Sequence, residues 1–151
     1  MSSDWLKLKS GSDIRADETQ LTNDFASRIG YVFALWLAKR KDTTPDKLTI
    51  AVGRDSRNSG PRLKAALIKG MTAADSDVLD CDLCTTPAMF MTTVHEATKA
   101  DGAIMITASH HPPIMNGFKF ITAGGGLTGA DVTELIDSPG QHRIQRGPGP
   151  R

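Results

Sequence analysis

The sequence predicts an α/β domain, a layered sandwich in which a mainly parallel or mixed sheet is flanked by helices. Three observations predict it. Short apolar runs alternate along the chain with amphipathic stretches of helical period. One run, Gly102-Ala103-Ile104-Met105-Ile106, is apolar throughout, as befits a strand covered on both faces. Finally, three polar segments each follow an apolar run: Arg54-Asp55-Ser56-Arg57, Thr85-Thr86-Pro87 and Ala108-Ser109-His110-His111. Open α/β sheets carry their chemistry in loops at that end of their strands.

The first helix follows Thr22. Phe25, Ile29, Val32, Phe33, Trp36 and Leu37 form one apolar stripe, Thr22 or Asn23 can cap its start, and Lys39, Arg40 and Lys41 suit the negative end of its dipole. Residues 48–52 read as a strand that stops at Gly53. Ser59-Gly60-Pro61 opens a second helix with Leu63, Leu67 and Met71 on its buried face. Residues 78–83 form the next strand, and Thr86-Pro87 starts a third helix with Phe90, Val94 and Ala97 expected inward. After the strand at 102–107 come a strand at 118–121, a glycine-rich turn and a last helical piece at 130–136. No internal repeat is visible.

The chain has 151 residues, 39% hydrophobic and 23% charged, enough for one domain at 1–137 with its own core. The segment 138–151 has Gly, Pro and Arg but almost no apolar residue, so it is expected to be a disordered or aberrant tail. A formal charge of +1 gives no sign of a nucleic-acid partner, and no apolar run reaches the roughly 20 residues of a membrane span. The start lacks the apolar core of a signal peptide, so the cytoplasm is the expected location.

Two cysteines stand as Cys81 and Cys84. On a regular strand, residues three apart face opposite sides, so the thiols are expected to diverge and pack as small apolar groups. Gly124-Gly125-Gly126-Leu127-Thr128-Gly129 matches a dinucleotide fingerprint, but too little chain follows to complete that unit. Ser109 lacks the glycine-flanked elbow of the serine hydrolases.

The strongest segment is Thr107-Ala108-Ser109-His110-His111-Pro112-Pro113-Ile114-Met115-Asn116-Gly117-Phe118-Lys119. A buried strand delivers a serine into a proline-stiffened turn beside a histidine, and the next strand returns a lysine. Serine is a weak nucleophile without a base for its proton and cations for the developing charge, and His110 and Lys119 are local suppliers. The bland alternative is a structural turn with Ser109 as a cap. Gly11-Ser12-Asp13-Ile14-Arg15 and Gly53-Arg54-Asp55-Ser56-Arg57 weigh against it. They are expected to bring Arg15, Arg54 and Arg57 to one edge, a guanidinium cluster suited to a phosphorylated serine.

These three segments, in this order, resemble the first domain of the α-D-phosphohexomutases, the phosphoglucomutase/phosphomannomutase family, over residues 8–136. The resemblance implies phosphoryl transfer on a hexose phosphate through a phosphoserine and a hexose bisphosphate intermediate, with hexose 1,6-bisphosphate as activator. Ser109 would carry the phosphoryl group and offer Mg²⁺ one ligand. Lys119 and Arg15 would be acid/base candidates and charge stabilisers, with His110 in support. Arg54, Asp55 and Arg57 would orient the serine loop and bind phosphate together with Ser12. Ala16 stands where the family usually has glycine, and His111 where many members have asparagine. No D-G-D-x-D-R run, the family's source of metal carboxylates, follows in this sequence. The remaining metal ligands and the sugar-selecting C-terminal domains are therefore expected outside it. By this family resemblance the chain is a phosphohexomutase, an intramolecular phosphotransferase, but without those parts this chain alone is expected to be incomplete and inactive, with weak Mg²⁺ binding and negligible turnover. The alternative function is a fragment that at most binds phosphate or sugar phosphate.

Overall fold

A computed structural model describes residues 5–137; the expectation for 138–151 lies outside them. Strand β1 (Lys9–Ser10) turns into β2 (Asp13–Asp17), and helix α1 (Asn23–Arg40) follows. Then come β3 (Thr49–Arg54), α2 (Gly60–Ala73), β4 (Asp77–Leu83) and α3 (Thr86–Val94). Strands β5 (Gly102–Ile106), β6 (Met115–Thr122) and β7 (Gly125–Gly126) lead to α4 (Gly129–Ile136). The sheet runs β1-β2-β6-β5-β3-β4, with β7 paired to β6. It is mixed: β3 is parallel to β4 and β5, whereas β5–β6, β6–β2 and β2–β1 are antiparallel.

Alternation along the strands divides the core in two. Ile50, Val52, Ile104, Ile106, Phe118 and Phe120 face one large cluster with α1, α2 and α4. The Thr22 hydroxyl caps α1 by accepting from the Phe25 N–H at 3.1 Å. Helices α1 and α2 touch backbone to backbone, since a Cβ on Gly30 would overlap the Leu67 carbonyl and one on Gly70 would overlap that of Ser27. Glycine at both positions permits that approach.

The second face is smaller and built from small residues. Ala51, Ala103, Met105 and Ile121 surround Met89, the plug supplied by α3. Here two expectations are corrected. Met89, Thr92 and Thr93 point inward, while Phe90, Val94 and Ala97 are exposed. Met89 fits beside Gly53, where a Cβ would collide with its Sδ. The two threonines tolerate burial because their hydroxyls donate to the helix's own carbonyls, at 2.6 and 2.7 Å. The cysteines do not diverge either, since both pack against this second cluster. A register shift after Val52, with Asp82 at φ +50°, breaks the strand alternation between them. Burial, aided by Cys84 and Asp80, pushes the Cys81 thiol above its ordinary value.

Because α3 has only nine residues, it does not roof the whole second face. Ile14 and Ala16 lie in the large cluster, so Asp13 and Arg15 project from β2 on the second face. Lys119, between buried Phe118 and Phe120, projects the same way from β6. Alternation thus brings three charged residues to one open stretch of sheet.

Candidate active site

The loop at 107–114 leaves the carboxyl end of β5 and returns as β6. Ser109 is exposed and sits at φ +54°, in the left-handed region that residues with a Cβ seldom occupy. A local network holds it there. The Ser109 N–H donates to the Thr107 hydroxyl at 3.1 Å, and that hydroxyl donates to Asp55 Oδ2 at 2.6 Å. Asp55 also accepts from the Arg57 N–H at 3.1 Å and from Arg57 Nε at 3.3 Å.

Arg57 then reaches across to the loop. Its guanidinium donates to the Ser109 carbonyl at 2.8 Å, the Pro112 carbonyl at 2.7 Å and the Met115 carbonyl at 3.2 Å. The planar fork of arginine can serve several fixed acceptors at once, which a lysine cannot. Asp55 and Arg57 are thereby engaged with the loop backbone. Arg54 turns to the neighbouring edge, donating from Nε to Asp82 at 3.2 Å and from Nη1 to the Asp55 carbonyl at 3.2 Å. A hydrogen bond from Lys64, together with its charge, holds the Asp82 carboxyl below its ordinary value, with Arg54 adding to the effect.

Arg15 approaches from the other side. Its Nη1 lies 3.0 Å from His111 Nε2, and its Nη2 donates to Asp13 Oδ2 at 3.3 Å. Lys119 Nζ donates to that same Asp13 oxygen at 2.8 Å. Ala16 is ordinary strand, absent from the positive-φ residues, so no left-handed backbone is required of it. In the register Arg15 lies opposite Gly117, where a Cβ would overlap the Ile14 carbonyl. His110 is exposed and makes no side-chain hydrogen bond among the described residues.

Ser12, Asp13 and Lys119 form one wall of a cleft of about 310 Å³, with Thr86, Pro87 and Phe90 at the start of α3 opposite. Ser109 is not among its lining residues. Two residues not singled out from sequence emerge here. Asp13 was legible in principle, because positions i and i+2 share a strand face with Arg15. Thr107 was legible as a hydroxyl two residues before the serine, a spacing that permits a local turn bond.

These residues do not by themselves make a Mg²⁺ site. Among the described residues no three His, Cys, Asp or Glu side chains gather to hold a metal ion. Asp55, the carboxylate bonded to the serine loop, is already engaged by Thr107 and Arg57. Mg²⁺ requires near-octahedral oxygen ligation.

The family model described as "Phosphoglucomutase/phosphomannomutase, alpha/beta/alpha domain I" matches residues 7–142. A phosphoglucomutase/phosphomannomutase of Thermococcus kodakarensis is 41% identical over 130 residues, covering 83% of this chain and 27% of that protein. A phosphoglucosamine mutase of Corynebacterium jeikeium is 37% identical, covering 85% and 28%. A solved phosphoglucomutase/phosphomannomutase family protein of Burkholderia thailandensis superimposes with a TM-score of 0.74 at 29% identity, covering 93% of this chain and 30% of that one. The chain therefore spans a little over a quarter of the length of these relatives. By its fold, its serine loop and the extent of the match, the chain belongs to the phosphoglucomutase/phosphomannomutase family, in the part that forms domain I.

Proposed function

We propose that this chain carries the phosphoryl-transfer step of a phosphohexomutase, with Ser109 as the residue that is phosphorylated. The observation that supports it most is an exposed serine at φ +54° on a backbone clamped by Arg57, in a loop whose His111 lies 3.0 Å from Arg15, which shares Asp13 with Lys119. In this reading a hydroxyl oxygen of a hexose monophosphate attacks the phosphorus of phospho-Ser109. The new O–P bond forms as the Ser109 Oγ–P bond breaks, and the hydroxyl proton passes to Oγ with Lys119 or His110 as relay. In reverse, a hexose 1,6-bisphosphate rephosphorylates Ser109, which makes it both intermediate and activator.

Each cation has a part. Arg15 and Lys119 meet the charge on the transferring group in a partly dry site, where fixed donors act more strongly than in water. Arg57 and Asp55 keep the serine loop in one shape, and Arg54 braces the adjoining strand end. Ser12 lines the cleft through which the sugar phosphate enters. Phospho-Ser109 offers Mg²⁺ one oxygen; the rest of an octahedral shell has to come from other groups.

The test is the rate at which a labelled hexose 1,6-bisphosphate phosphorylates the chain. Arg15→Ala and Lys119→Ala are each expected to slow labelling by about 10²-fold, the usual scale for one lost charge-stabilising donor. Wild-type labelling rates in both variants would exclude these residues from the transfer site.

A further inference from the structure

Asp13 is the least exposed charged side chain of the open sheet stretch, at 14%, against 20% for Arg15 and 33% for Lys119. One of its oxygens, Oδ2, accepts from both cations, at 3.3 Å and 2.8 Å. The backbone makes that sharing possible. Ile14 pairs with Phe118 and Arg15 with Gly117, so one step further along the ladder Asp13 stands opposite Lys119 on the same face. We propose that Asp13 is a positioning residue, whose single oxygen fixes the Arg15 guanidinium and the Lys119 ammonium side by side as one phosphate-facing pair. The proposal rests on the transfer reading above.

Two cations on adjacent strands repel and, unheld, spread into solvent on long flexible side chains. A shared carboxylate between them removes the repulsion and limits their rotamers before any phosphate arrives. That order matters for transfer, since a group misplaced by about 1 Å can cost roughly 10²-fold in rate. Arg15 is tied a second time, to His111 two residues beyond Ser109, so the pair is also referenced to the serine loop. Asp13 acts through Arg15 and Lys119.

Asp13→Asn and Asp13→Glu test this in the full chain with two readouts. One is Ser109 labelling by a hexose 1,6-bisphosphate over a range of concentrations. The other is the acylation of Lys119 by an amine reagent, mapped by mass spectrometry, which needs no activity. Asp13→Asn keeps the shape but not the charge. It is expected to lower the saturating labelling rate about tenfold or more, to change the half-saturating concentration less, and to speed Lys119 acylation several-fold. Asp13→Glu, which keeps a carboxylate, is expected to restore slow acylation and part of the rate. Lys119 acylation at the wild-type rate in Asp13→Asn would overturn the proposal. So would a loss of labelling that follows a fall in thermal stability and is not relieved by Asp13→Glu. If Asp13→Asn speeds acylation while the wild-type chain takes no label, the hold of Asp13 on Lys119 is supported and the transfer reading is what fails.

Discussion

The Arg57 guanidinium donates to the Ser109 carbonyl at 2.8 Å and, from its other terminal nitrogen, to the Pro112 carbonyl at 2.7 Å. One side chain thus spans both sides of the turn that presents the serine. Arg57→Lys keeps the charge but not the fork, so it is expected to slow Ser109 labelling by about 10²-fold and to expose the 107–114 loop to proteolysis. Arg54→Ala removes a pair whose partner Asp82 is 59% exposed and one bond to the Asp55 carbonyl, so it is expected to cost about 1–2 kcal/mol. Equal losses of labelling in the two variants would show that Arg57 has no special place.

Thr107 joins Ser109 to Asp55 through one hydroxyl. Thr107→Val preserves the shape and deletes both bonds, at a cost of about 1 kcal/mol, since Ser109 is exposed and Asp55 only partly buried. If those bonds hold Ser109 in its left-handed conformation, labelling should fall well beyond what the stability change explains. A variant that labels at the wild-type rate would show that the loop keeps its shape without them.

The crossing of α1 and α2 rests on glycine. Gly70→Ala drives a methyl into the Ser27 carbonyl, so the helices must part, with a loss of about 1–3 kcal/mol in urea unfolding. Thermal stability should fall while Ser109 labelling of the folded fraction is retained, because the crossing lies on the other face of the sheet from Lys119.

Asp131 caps α4 by accepting from the Thr128 N–H and also pairs with Arg40 of α1 at 2.8 Å. The Thr128 backbone bond, followed by the Thr128 hydroxyl and Arg40, holds its carboxyl below the ordinary value of 3.8. A folded value below the unfolded one gives stability that is present above about pH 3.8 and is lost as pH falls through the folded value. Asp131→Asn should therefore lower the melting temperature at neutral pH, and the gap to wild type should close in acid. A gap that persists undiminished at pH 2 contradicts the assignment.

Most of the fold was legible because strand and helix periods differ and because long stripes such as Phe25 to Leu37 leave little choice. The α/β sandwich, a cap at Thr22 or Asn23 and the full burial of β5 follow from such local signals, while the choice of Thr22 and of a mixed over a mainly parallel sheet came from the structure. What escaped was rotation and register. Phe90 and Val94 looked like the inner face of α3 because they are the larger apolar residues. The floor beneath that helix is Ala51, Gly53 and Ala103, and it accepts Met89 instead. The bulge before Asp82 likewise depends on the pairing of β4 with β3, which no window of sequence contains. At the site, the approach of Arg15 and Arg57 to the serine loop was legible from residue type and spacing. The division of labour among Arg15, Arg54 and Arg57 was not, because it depends on which carbonyls and carboxylates the folded loops turn toward each guanidinium.

The central claim is that Ser109 receives the phosphoryl group. Incubating the chain with glucose 1,6-bisphosphate and mapping the phosphorylated peptide tests it most directly. One modified residue, Ser109, and no label in Ser109→Ala is the expected result. Phosphate on another residue with Ser109 unmodified would contradict it.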